Sequence, residues 1–86
     1  MPDAAASEKF CAVFTGILNV EPASVCPESS RDTLEEWDSI HHMHLILALE
    51  EAFGIEFSDD EICELASLAD LMTAMRAKTG QPVAWQ

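Results

Sequence analysis

Basic residues are scarce in this chain: Lys9, Arg31, Arg76 and Lys78 stand against 16 acidic residues, for a formal net charge of −12. So few cations cannot form the positive footprint that nucleic acids and anionic membranes require. Nucleic acid and membrane insertion are therefore excluded as expectations, and basic protein surfaces are the expected partners. The three cysteines, Cys11, Cys26 and Cys63, are odd in number and lack paired or metal-type spacing. That argues against a disulfide framework or a zinc site and for free thiols in a reducing compartment. No apolar run approaches the ~20 residues of a membrane-spanning helix. No basic region followed by an apolar stretch and a cleavage signature opens the sequence. The expectation is a cytoplasmic monomer. Repeats, low-complexity tracts, a Gly-rich phosphate loop and a credible Ser-His-Asp arrangement are all missing.

What remains is a chain of 86 residues, 49% hydrophobic, enough for one modest core despite the charge. Phe10, Val13, Phe14, Ile17 and Leu18 recur at the offsets of one helical face, which predicts a first helix over about 7–20, weakened by Gly16. A long connection over 21–37 follows, with Val25, Leu34 and Trp37 as its candidate anchors. Thr33-x-x-Glu36 mimics a capping box there and is read as a decoy or a single turn. The second helix is expected over 39–53, closed by Gly54. Ser58 with Glu61 caps a short third helix to about Leu65, and Ser67 with Asp70 caps a fourth from Leu68 to about Lys78. The fold class is all-α, as a single domain over 1–86 with an ordered core of about 7–79 and a mobile tail over 80–86.

Glu36-Trp37-Asp38-Ser39-Ile40 holds the most informative residues. Ser39 falls at the mouth of the second helix, where unsatisfied N–H groups and a partial positive charge stabilise an attached anion. Taken alone, the Asp38-Ser39 pair is read as an ordinary N-cap. Steps of about 100° along this helix separate two apolar stripes. Leu45, Ile46, Leu49, Ala52 and Phe53 lie on one side, and Ile40, Met43 and Leu47 on the other. A small core cannot reach both, so the second stripe is expected to face a partner, with His44, Glu50 and Glu51 as its polar rim. A helix buried all round is the competing reading.

The residues from Asp38-Ser39-Ile40 through Leu47-Ala48-Leu49-Glu50-Glu51-Ala52-Phe53-Gly54-Ile55-Glu56-Phe57 closely resemble the acyl carrier protein family. The resemblance continues through Ser58-Asp59-Asp60-Glu61 to Ser67-Leu68-Ala69-Asp70-Leu71. It implies a four-helix bundle whose Asp-Ser-Leu motif, here Asp38-Ser39-Ile40, receives a 4′-phosphopantetheine arm from coenzyme A. Ser39 would be the attachment residue, and a separate phosphopantetheinyl transferase would supply the chemistry. The arm's thiol would hold an acyl, hydroxyacyl or aminoacyl group as a thioester for acyl-loading and acyl-transfer enzymes with basic docking patches. The expected function is a free-standing carrier in lipid, polyketide or related biosynthesis, not an enzyme. The alternative is an acidic helical interaction or regulatory module without a prosthetic group, against which the intact Asp38-Ser39 pair argues.

His41, His42 and His44 stand where fatty-acid carriers are commonly acidic, and Trp37 replaces a small or polar residue, which points to a specialised carrier. His41 and His44 lie one turn apart but lack a third ligand, so surface histidines shaping partner choice are expected in preference to a metal site. His42 is expected on the core side. Asp59, Asp60, Glu61 and Glu64 lack the order and glycine of a calcium loop and read as a solvated acidic face.

Self-repulsion among these carboxylates opposes compaction. Raising ionic strength from about 0.01 M to about 0.1 M shortens the screening length from ~30 Å to ~10 Å and is expected to raise the melting temperature near neutral pH. Magnesium or calcium should act at lower concentration. A melting temperature that stays flat or falls with NaCl would show that the acidic surface is already compensated.

Overall fold

The computed structural model describes residues 4–85. Among them are four α-helices, α1 (Ala4–Leu18), α2 (Ser39–Phe53), α3 (Asp59–Glu64) and α4 (Leu68–Thr79), with a 3₁₀ turn at Pro22–Ser24. α1 begins and ends earlier than expected. Asn19 takes a left-handed conformation (φ 57°) and stops the helix. The Val20 N–H then reaches back to Thr15 O, so a carbonyl at the helix end is satisfied without a further turn. Gly54 does the same for α2 at φ 66°, with Gly54 N–H and Ile55 N–H both donating to Glu50 O. α3 starts with the expected reciprocal box, in which Glu61 N–H donates to Ser58 Oγ and Ser58 N–H donates to Glu61. Ser67 accepts from Asp70 N–H at the start of α4.

One core draws on every element. Phe10, Phe14 and Leu18 from α1 meet Leu45, Ile46 and Leu49 from α2 and Leu68, Leu71 and Met75 from α4, all fully buried. The long connection is anchored where expected: Val25 and Trp37 are buried, and Leu34 packs against them. It is also stitched to the start of α4, which no local pattern announced. Arg31 N–H donates to Ala66 O, Leu68 N–H to Ser29 O and Ala69 N–H to Pro27 O. The last two bonds satisfy N-terminal donors that α4 cannot satisfy internally.

The segment expected as a mobile tail is instead packed through residue 85. Val83 is fully buried, Arg76 Nη1 donates to Val83 O (2.8 Å), and Ala84 N–H donates to Ser7 Oγ (3.0 Å). Trp85 meets Phe10 and Phe14 edge-on, with ring centroids 6.3 and 5.3 Å away. Two apolar residues flanking Ala84 are too short a run to show periodicity, yet Val83 joins the core and Trp85 packs against it. Residues 1–3 and Gln86 of the expected domain lie outside the described residues. No helix among the described residues is long and apolar enough to cross a membrane.

The two faces of α2 separate as the spacing predicts. Leu45, Ile46 and Leu49 are fully buried, Phe53 is partly buried, and Ile40, Met43 and Leu47 are 67%, 43% and 57% exposed. Leu49→Ala is therefore expected to cost about 2–5 kcal/mol in a denaturant melt. Leu47→Gln on the outer face is expected to cost about 0.5 kcal/mol or less. Equal losses would mean that both faces are buried.

Candidate functional site

Ser39 is the first residue of α2 and is exposed. Asp38, not Ser39, caps the helix: one carboxylate oxygen accepts from His41 N–H (2.8 Å) and also from His41 Nδ1 (2.8 Å). The backbone bond from His41 first, and its side chain second, hold the Asp38 carboxyl below the usual range. Because the cap is provided by Asp38, the Ser39 hydroxyl has no hydrogen-bond partner among the described residues. The Ile40 N–H also bears on the Asp38 carboxylate, and the Ser39 N–H is left for solvent or an anion. Five of the other six serines are engaged: Ser29 is buried and accepts from Cys26 N–H, Ser30 accepts from Asp32 N–H, Ser58 and Ser67 are caps, and Ser7 holds the C-terminal segment; Ser24 is exposed in the 3₁₀ turn, away from any α-helix mouth.

The residues around Ser39 are held by a buried chain of hydrogen bonds that sequence periodicity did not reveal. Trp37 Nε1–H donates to His42 Nδ1 (2.9 Å), and His42 Nε2 lies 2.9 Å from Ile62 O. An indole N–H can only donate, so Nδ1 must be the acceptor and the imidazole proton sits on Nε2, where it donates to the Ile62 carbonyl. The connection, α2 and α3 thus meet at one ring. Burial pushes the His42 pKa below its ordinary value, the Ile62 carbonyl partly opposes that, and the Arg31 charge adds to it. A tryptophan and a histidine at core-facing positions were the available signal, since each polar edge needs a partner when buried.

On the outer face, Ile40, Met43 and Leu47 are flanked by exposed His44 and Glu51. Glu50, expected on the same rim, is half-buried and its carboxylate accepts from Phe57 N–H (2.8 Å). It secures the turn after α2 and is not free for a partner. His41 and His44 meet edge to face with centroids 6.4 Å apart, and no group of three metal-ligating side chains occurs among the described residues. On the other side of Ser39 lies a groove of about 430 Å³, lined by Ser30, Arg31, Trp37, Asp38, Ala66 and Ser67 among others.

The family described as "Phosphopantetheine attachment site" matches residues 8–75. The acyl carrier protein of Thermosynechococcus vestitus (strain NIES-2133 / IAM M-273 / BP-1) is 37% identical over 71 residues, covering 83% of this chain and 88% of that protein. The acyl carrier protein of Prochlorococcus marinus (strain MIT 9515) is 33% identical over 73 residues, covering 85% and 91% respectively. This chain belongs to the acyl carrier protein family. Its prosthetic group is covalently attached 4′-phosphopantetheine. The chain offers a fitting place for that group: an exposed, unbonded serine hydroxyl at the first residue of a helix with an open groove beside it.

Protonation of His42 on Nδ1 would set two donors against each other across the Trp37 contact. The folded pKa lies below the unfolded value of about 6.5, so the unfolded chain takes up the proton first. The stability contributed by neutral His42 is complete above about pH 6.5 and is lost as pH falls through that value. Melting temperature is expected to decline as pH falls below about 6.5 in the native chain, and less steeply in His42→Gln, whose amide donates and accepts without titrating. His42→Leu is expected to cost about 1–3 kcal/mol near neutral pH by stranding the indole N–H. Parallel pH profiles for the native chain and His42→Gln would remove this role.

Proposed function

We propose that Ser39 is the attachment residue and that the protein works as a free-standing carrier, presenting a thioester-bound acyl, hydroxyacyl or aminoacyl group in lipid or polyketide-type biosynthesis. The observation that carries this reading is the Ser39 hydroxyl itself, exposed at the first residue of α2 while Asp38 does the capping. When attached, the arm supplies a terminal thiol that forms the thioester. The chain's own contribution is to hold the attachment point, not to catalyse. Asp38 keeps the helix mouth formed, the Trp37–His42–Ile62 chain keeps it fixed against the bundle, and the positive end of α2 favours a phosphodiester there.

Partner enzymes, the phosphopantetheinyl transferase among them, are read as docking on Ile40, Met43 and Leu47, with His44 and Glu51 at the rim. The surplus of negative charge steers basic patches toward this face and speeds encounter without demanding tight binding. That suits a monomeric carrier of the cytoplasm, which must release each partner in turn. Glu50 contributes to this face through the backbone it holds, not through a free carboxylate.

Incubation with coenzyme A and a broad-specificity transferase is expected to add one phosphopantetheinyl group, mapped to Ser39 by peptide mass spectrometry. Ser39→Ala is expected to abolish loading and leave the unfolding free energy within about 0.5 kcal/mol of the native value, as for an exposed site. An unchanged mass with several transferases would favour an interaction module without a prosthetic group. An adduct on another residue would overturn the assignment of Ser39.

A further inference from the structure

Three of the four cations in the chain are already engaged. Lys9 Nζ donates to Ala52 O (2.9 Å) and lies 5.0 Å above the Phe53 ring. Lys78 pairs with Glu61 (3.0 Å) and lies 5.2 Å above the Phe57 ring. Arg76 donates to Val83 O and to Thr73 Oγ1. The Arg31 side chain differs: among the described residues it forms neither an ion pair nor a hydrogen bond, although the formal net charge is −12. Asp32 and Asp38 line the same groove and do not pair with it.

Arg31 is also well placed. Its backbone is pinned to the link between α3 and α4, by its own N–H to Ala66 O (3.1 Å) and by Leu68 N–H to Ser29 O (2.8 Å) on the other side of Ser30. It therefore belongs to a fixed wall of the groove that Ser39 borders. Trp37, Asp38 and Ser39 line the same groove as Arg31. A guanidinium matches the oxygens of a phosphodiester with two parallel N–H donors, and a phosphodiester keeps its charge at all working pH values.

We propose that Arg31 is a positioning residue for the prosthetic group, its guanidinium holding the phosphodiester on Ser39 so that the first part of the arm lies in the groove beside Ala66 and Ser67. This rests on attachment at Ser39. The arm then leaves the helix mouth on the side away from the Ile40, Met43 and Leu47 stripe, and that stripe stays open to partners while the carrier is loaded. On the α3–α4 side the wall residues Ala66 and Ser67 are small, and the bulky Trp37 is buried in the core, so the pantetheine chain can follow that side of the groove without displacing a large side chain.

The test is made on ¹⁵N-labelled protein loaded from coenzyme A, with intact mass and peptide mapping read first. No adduct on Ser39 in the native chain would overturn the attachment reading and this proposal with it. With the adduct in place, the expected result is that the Arg31 Nε resonance and the amides of Arg31, Asp32, Ala66 and Ser67 shift between the unloaded and loaded forms. Arg31→Gln is expected to lose the Ala66 and Ser67 shifts, and Arg31→Lys to retain part of them, both variants still loading at Ser39. Raising NaCl from about 0.01 M to about 1 M, which shortens the screening length from ~30 Å to ~3 Å, should diminish the native shifts. An unmoved Arg31 Nε, identical shifts in Arg31→Gln, or shifts confined to Ile40, Met43 and Leu47 would overturn the proposal while leaving Ser39 as the attachment residue.

Discussion

The buried contact between Trp37, His42 and the Ile62 carbonyl is the constraint on which the presentation of Ser39 depends. A long connection ends, a helix begins and a short helix packs across both, and each would be free to shift if held by apolar contacts alone. Hydrogen bonds add direction. The indole sets the imidazole tautomer, the imidazole takes up the Ile62 carbonyl, and the indole face lies edge-on to Phe14 at 5.3 Å. The Asp38 cap then needs to set only the last two residues before the helix. An exposed hydroxyl thereby acquires a defined position without being used as a cap itself.

The same helix divides its apolar residues by depth. A chain of 86 residues must bury most of its large apolar side chains to fold. α2 sorts them by angle, with Leu45, Ile46 and Leu49 inside and Ile40, Met43 and Leu47 outside. An exposed stripe of this kind is what the proposed docking of partner enzymes draws on. The few cations are spent sparingly: two lie over aromatic rings, one ties down the C-terminal segment, and Arg31 stays at the groove beside Ser39.

Much of the architecture was legible locally. The bounds of α2, the Ser58 and Ser67 caps, the left-handed Gly54, the anchors of the long connection and the two stripes all follow from residues within a turn or two of one another. Asn19 ended α1 before Val20 because a residue able to adopt positive φ let the Val20 N–H close on Thr15 O, which a run of apolar offsets does not register. Glu50 looked like a rim carboxylate because its helical angle is right. Its actual partner, Phe57 N–H, lies beyond the turn that follows the helix.

The sequence by itself determined the helices, their caps, the amphipathic division of α2, the exposure of Ser39 at a helix mouth and the family resemblance, because these depend on spacings that the backbone repeats every few residues. Tertiary structure alone decided that Val83 and Trp85 close the core, that His42 joins Trp37 to Ile62, and that Arg31 shares a groove with Ser39. Those outcomes depend on pairs far apart in the chain, such as Ala84 with Ser7, separated by 77 positions, or His42 with Ile62, separated by 20. No local period encodes which distant donor meets which acceptor. That is settled when the core packs and each buried polar group must find a partner.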